Sequence, residues 1–363
     1  MKKVLLVAGN FNLTKNEDGT YGKQSHLIHK MYLLLKNEKD LQIDYYNGGN
    51  YNNLKLLVED AKKYEIIFWM ANVPNELPKI RDVKKVNPFA LVIGSKRNYY
   101  DENLDKMEYT FVEILNKSLL QRNNLTIEFE KLKDENKFKM VLFDPLGTSW
   151  YDGYSIEDLV QNMMNRINFV LTTKRERTFE ENGENFIPNN EEFFQYVREV
   201  AEIFHKTIEH ANGVTRFLGN ASFRQNNKIY VTRRDVDKAF INKDNFVESF
   251  LKDNKVYYYG VNKPSKDTVV QVRLYKMFPN INYIIHSHCY VENGYFTNIP
   301  VPCGALDEID EVLEVVKNNY NNDLTKNYYK INLKGHGCLI LANSLKDLKE
   351  SKYITRHLPE KLN

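Results

Sequence analysis

The chain has 363 residues, too many for one typical hydrophobic core, so two domains are expected. An apolar fraction of 42% and a charged fraction of 27% fit a soluble globular protein, and the net charge of +3 is too small for a dedicated nucleic-acid binder with its concentrated basic stripe. No stretch approaches the ~20 apolar residues of a membrane span, whereas small anionic ligands stay open because a local cluster of cations is enough to hold them.

The opening Met-Lys-Lys-Val-Leu-Leu-Val-Ala-Gly looks like a leader, but its apolar stretch ends after about six residues and runs into Asn and Lys. It reads better as a buried first strand at 4–8. Helical spacing follows at 25–35, buried strands at 66–70 and 90–93, a helix at 104–120, a strand at 139–143 and a helix at 156–170. Short apolar strands alternating with helices predict a parallel sheet covered on both faces, a Rossmann-like or flavodoxin-like α/β domain over 1–175. Such sheets bind ligands beyond the carboxyl ends of their strands. Two segments are expected to be loops there: Gly9-Asn10-Phe11-Asn12, and Gly94-Ser95-Lys96-Arg97 with two cations for an anion. Neither matches G-x-G-x-x-G or a P-loop. Residues 176–192 are polar and charged and read as a linker. The second domain, 193–363, is entered through a helix expected at 191–210.

The three cysteines, Cys289, Cys303 and Cys338, form no close pair and are odd in number, which argues against a disulfide framework and for a reducing cytoplasm. His26, His29, His205, His210 and His357 read as structural. The other three of the eight histidines are different. Tyr283-Ile-Ile-His286-Ser-His288 is an apolar run leading into H-x-H, and in a strand residues i and i+2 share a face. His336 sits between two glycines in Leu333-Lys-Gly-His336-Gly337. Three neutral imidazoles and an open position make a catalytic zinc site. Imidazole also suits iron, cobalt, nickel and copper, so another divalent transition metal stays open.

From residue 213 onward an ordered set of motifs appears: Gly219-Asn220-Ala-Ser222-Phe-Arg224, Pro264-Ser265-Lys266-Asp267, Tyr275, Pro279, His286-Ser-His288 and Gly335-His336-Gly337. Over residues 193–345 this resembles the class II aldolase/adducin family, which includes fuculose phosphate aldolase and ribulose phosphate epimerase. The resemblance implies an α/β/α fold around a mainly antiparallel sheet, a homo-oligomer (a tetramer in the family), and a zinc ion held by His286, His288 and His336. It puts Asp267 at the place of the family's acid/base, usually Glu, one methylene longer. The family's phosphate grip is matched by Gly219, Asn220 and Ser265. Lys266 stands for a second Ser, and a Thr-Gly pair falls on Arg234-Asp235. A glycine that would cradle phosphate has become Asp, while Arg233, Arg234 and Lys266 bring cations, so an anionic substrate is expected to be held by side chains. The family's tyrosine acid is not identifiable among 24 tyrosines.

The function expected is a zinc-dependent aldolase-type lyase acting on a small phosphorylated sugar or related hydroxy-carbonyl compound. Epimerisation and dehydration use the same parts. Two alternatives stand beside it: an adducin-like scaffold that has abandoned catalysis, and an N-terminal domain that binds a nucleotide or nucleotide-sugar.

Overall fold

An apolar run with β-branched and leucine side chains on both faces has to be covered from both sides, and β1 (Lys2–Asn12), with Val4 to Ala8 wholly buried, is such a strand. A computed structural model describes residues 1–72, 80–133, 136–145, 147–173, 176–204, 206–209, 214–301 and 303–354. The chain divides into two units, Met1–Leu171 and Thr172–Glu360.

In the first unit, β2 (Leu41–Asn50), β3 (Ile66–Asn72), β4 (Leu91–Asp101) and β5 (Leu125–Lys131) join β1 in a parallel sheet of order β2-β1-β3-β4-β5. This is the flavodoxin-like order. One face is covered by α1 (His26–Leu35) and α5 (Ile156–Thr172), whose Met31, Leu35, Met163 and Ile167 pack on Leu6, Phe68 and Ile127. The other is covered by α2 (Tyr51–Glu59) and α3 (Ile80–Val86), with Leu54, Leu57 and Val83 on Leu5, Val7 and Ile67. Thr110 and Glu113 form a capping box that starts α4 (Phe111–Gln121).

Three expectations change here. The sheet is not wholly parallel, because β6 (Lys139–Phe143) and β7 (Ser149–Gly153) extend it antiparallel beyond β5. Their junction is tied to α5 by a buried pair: Arg166 Nη2 lies 3.2 Å from Asp144 Oδ2, which also accepts from Trp150 Nε1 at 3.1 Å. Gly9 to Asn12 is the end of β1, not a loop. Gly94 to Arg97 is the middle of β4, laddered to Thr126 through Phe129 of β5. That strand outlasts its apolar run because polar groups take over its inward positions: Asn98 is buried and donates to Glu128 at 2.7 Å and to the Tyr109 carbonyl at 2.9 Å.

The second unit is built on β8 (Thr178–Glu181), β9 (Asn220–Gln225), β10 (Lys228–Thr232), β11 (Phe246–Lys252), β12 (Lys255–Tyr259), β13 (Tyr283–Ser287), β14 (Tyr295–Phe296), β15 (Tyr328–Leu333) and β16 (Gly337–Ala342). Their order is β14-β15-β16-β13-β9-β10-β11-β12-β8, antiparallel inside and parallel only at the two edge pairs. Successive residues of β13 face opposite ways. Ile285 joins the aromatic layer under α6 (Glu191–Glu199), with Phe193, Phe194, Phe223 and Phe246. Ile284 joins the aliphatic layer under α7 (Thr268–Met277) and α8 (Asp307–Asn319), with Val270, Leu274, Val312 and Leu341. The result is the α/β/α arrangement around a mainly antiparallel sheet.

Residues 176–192, expected to be a linker, supply β8, and Asn185 bonds the backbone of Phe246 and Glu248. The helix expected at 191–210 stops at Glu199, and Lys206–Glu209 instead pairs antiparallel with Val214–Phe217. His205, His210 and His357 lie outside the described residues. No helix among the described residues is long and apolar enough to cross a membrane.

Candidate metal centre

His286 lies on β13, one position from the strand's end, and His288 just beyond it. His336 ends the turn between β15 and β16, where β16 runs antiparallel beside β13. The turn is tight against that neighbour. Gly337 has φ +146°, and a Cβ there would stand 1.9 Å from the Ser287 carbonyl oxygen, so no side chain fits next to the third histidine. The three imidazoles are buried, with one nitrogen from each within 4.8 Å of the others.

Two of the rings, His286 and His336, are aimed by polar neighbours. His286 Nδ1 lies 3.0 Å from the Cys338 carbonyl, which only accepts, so Nδ1 carries the proton and Nε2 offers its lone pair. His336 Nδ1 faces Glu308 Oε2 at 3.9 Å, and its Nε2 lies 3.2 Å from Cys303 Sγ. Burial lowers the pKa of His286, with the Asp267 charge opposing, and holds that of His336 well below its usual value, helped by His286 and Lys266. Neutral imidazoles are what a metal requires.

Asp267 occupies the residue before α7, but its side chain caps no backbone N–H of that helix. It turns instead to the histidines, with Oδ2 3.9 Å from His286 Nε2. Asn220 is the cross-strand partner of His286, and its Nδ2 donates to Asp267 Oδ2 and to Ser265 Oγ, each at 3.1 Å. Gln271 donates to Asn220 Oδ1. Gly219, at φ +74°, lets the preceding loop pass 2.7 Å from the His286 carbonyl, measured from where a Cβ would stand. Among the described residues, His286 Nε2, Asp267 Oδ1 and Glu308 Oε2 are buried with no hydrogen-bond partner. Buried polar atoms are rarely left so. Three buried imidazoles beside two buried carboxyl groups fit a divalent transition metal, which would satisfy them.

The structure therefore brings together Gly219, Asn220, Ser265, Asp267, His286, His288 and His336. Lys266 is exposed, with Cγ and Cε 3.2 and 3.5 Å from the place a Cβ on Gly304 would fill. Arg234 is also exposed. Its Nε donates to the Pro264 carbonyl at 3.0 Å, and with Arg233 and Lys263 it lines a separate open hollow of about 450 Å³. Asp235 has a left-handed backbone, at φ +56°, a conformation that favours glycine, and Arg216 Nε lies 3.3 Å from its carboxyl group.

Two residues were not singled out from sequence. Glu308 lies on the apolar face of α8, in step with Val312, Val315 and Val316. A carboxyl in that stripe is the signal. Burial and the Asp267 charge raise its pKa well above the usual carboxyl range. It faces His336 Nδ1 at 3.9 Å, beyond hydrogen-bond distance, and its expected role is to orient that imidazole when a metal is held. Glu308→Gln is expected to weaken zinc binding by about 10–100-fold, read by chelator competition, with the fold retained. Unchanged affinity would refute the orienting role.

Lys238 is the second. It is buried beside Phe204, donates to the Leu218 carbonyl at 3.3 Å, and burial pushes its pKa down to about 7. The folded value lies below the unfolded one, so between pH 7 and about 10.5 the unfolded chain binds the extra proton and stability rises with pH. Lys238→Met should thus be more stable than the natural protein below pH 7. Its advantage should shrink by at most about 1.4 kcal/mol per pH unit above that, followed by denaturant melts.

Known proteins match this chain in part. The pattern of a family described as Class II Aldolase and Adducin N-terminal domain matches residues 198–354. An L-fuculose phosphate aldolase from Methanococcus maripaludis is 23% identical over 163 residues, covering 39% of this chain and 81% of its own. Among solved structures, the L-fuculose-1-phosphate aldolase from Thermus thermophilus is 16% identical with a TM-score of 0.27, covering 42% of this chain and 80% of its own. A DNA/pantothenate metabolism flavoprotein from Streptococcus pneumoniae is 14% identical with a TM-score of 0.37, covering 47% of this chain and 99% of its own.

Proposed function

We propose, from the class II aldolase domain that occupies the C-terminal half of the chain, that this protein is a zinc-dependent aldolase-type lyase acting on a small phosphorylated sugar or related hydroxy-carbonyl compound. The observation that carries the reading is the convergence of three buried imidazoles, His286 of which faces a carboxyl group whose Oδ1 has no partner among the described residues. His286, His288 and His336 would hold the metal. When bound, zinc supplies Lewis-acid polarisation of a substrate carbonyl.

The chain's own residues do the rest. Asn220 holds Asp267 Oδ2, which leaves Oδ1 for proton transfer. In the cleavage direction the hydroxyl that becomes the aldehyde oxygen gives up its proton, the carbon–carbon bond next to the carbonyl breaks, and the carbon left as an enolate gains a proton; Asp267 would take up the one and return the other. Ser265, with the Gly219-Asn220 loop beside it, lies next to the acid, and Lys266 adds positive charge for the anionic end of the substrate, whereas Arg234 lines the separate hollow. The reading includes a homotetramer in the cytoplasm.

The test is direct. Zinc-loaded protein is incubated with a panel of phosphorylated ketoses and aldoses, and aldehyde release is measured with and without a chelator. Chelator-sensitive cleavage of at least one member is expected. Stoichiometric zinc with no turnover of any member would favour the scaffold reading, for which the Arg234-Asp235 pair in place of Thr-Gly is the supporting departure.

A further inference from the structure

The loop before α8 brings a thiol to the histidine cluster. Cys303 is half-buried, and its Sγ lies 3.2 Å from His336 Nε2. The other nitrogen of that ring faces Glu308, so Nε2 is the one left for a metal. Zinc–nitrogen bonds of about 2.0–2.1 Å and a zinc–sulfur bond of about 2.3 Å set a nitrogen-to-sulfur edge of roughly 3.6 Å in a tetrahedral site. The observed separation is close to that edge. Nearby, His286 Nε2 is buried with no hydrogen-bond partner among the described residues. The other two thiols are engaged elsewhere. Cys338 Sγ lies 3.3 Å from Ser287 Oγ, and Cys289 Sγ lies 3.5 Å from the Ile203 carbonyl.

We infer that Cys303 is a fourth protein ligand of the metal centre, so that the resting donor set is His286, His288, His336 and the Cys303 sulfur. The inference rests on the metal-centre reading above and extends it. Binding converts the thiol to a thiolate, with its proton released to solvent as the metal–sulfur bond forms. A substrate oxygen would have to share the metal with the Cys303 sulfur or take its place. A soft sulfur donor also sets the preference of the site: zinc and cobalt over magnesium, calcium or manganese.

Cobalt(II) makes the ligand visible. Wild type, Cys303→Ser and Cys303→Ala are each loaded with one equivalent of cobalt. Wild type is expected to show a near-ultraviolet thiolate-to-cobalt charge-transfer band that both variants lack. Visible ligand-field bands should persist in all three, because three imidazoles remain. Chelator competition should show cobalt held at least about tenfold less tightly in the variants, since even an outer-sphere partner contributes that much. Circular dichroism and melting temperature check that the variants are folded, and serine is close to cysteine in size. Cobalt bound by wild type with no charge-transfer band, and a spectrum unchanged in Cys303→Ser, overturns the assignment and leaves the metal centre standing. No cobalt binding by wild type overturns both.

Discussion

Asp267→Asn lowers kcat by about 10²–10⁴-fold and leaves the zinc content near one per chain; that is the result expected if this carboxyl moves the proton. The substitution is nearly isosteric. An amide oxygen still accepts from Asn220 Nδ2, as Oδ2 does at 3.1 Å, so the loop before α7 keeps its tie to β9. What is lost is the capacity to take up and return a proton. Metal retention separates this from a structural defect, because His286, His288 and His336 are untouched. Asp267→Glu asks a second question. It restores the residue usual in the family but pushes the carboxyl one methylene further toward the histidines, in a site whose Oδ2 already lies 3.9 Å from His286 Nε2. If the shorter side chain is matched to the substrate of this protein, Asp267→Glu also loses activity, though less than Asp267→Asn. Full turnover by Asp267→Asn would falsify the proton-transfer role outright.

His288→Ala should remove both the metal and the activity. His288 is buried just past the end of β13, so alanine leaves the strand's ladder with β9 and β16 intact. Losing one of three imidazoles takes away a donor that nothing else near the site replaces in kind, so a divalent ion should be held far more weakly. The measurement is metal per chain by elemental analysis, on protein purified without a metal-affinity tag. It is joined by a thermal or denaturant melt with and without zinc. A ligand at 100 times its Kd stabilises the folded state by about 2.7 kcal/mol, so wild type should shift on adding zinc and His288→Ala should not. Zinc that stays bound in the variant, or wild type that never holds any, would remove the basis of the site.

The histidine cluster was legible because its pattern is local. H-x-H at the end of an apolar strand and a histidine between glycines each fix one part of the geometry, and Gly337 shows why the second glycine is required. Asp267 and Asn220 were legible through the resemblance, and the register of β9 with β13 explains their meeting. Glu308 and Lys238 are charged residues inside apolar layers, a condition created by packing that composition alone does not reveal. In the first unit, β1, β3, the start of β4 and β6 were read from their apolar runs, whereas β5, buried but interrupted by Thr126, Glu128 and Glu130, was not. The polar half of β4, and β2 with its partly exposed alternation, lacked that signal. They are strands because their neighbours offer hydrogen-bonding edges, not because their side chains demand burial.

The four-residue strand β8 has a bearing on how the second unit can be separated. It covers the outer edge of β12 from Val256 to Tyr259. A truncated chain starting at residue 193 would strip that cover and bare a row of unpaired amides and carbonyls, the surface by which sheets stick to one another. Started at residue 172, the same fragment keeps its own selvedge, and with it the means to stay apart from its copies.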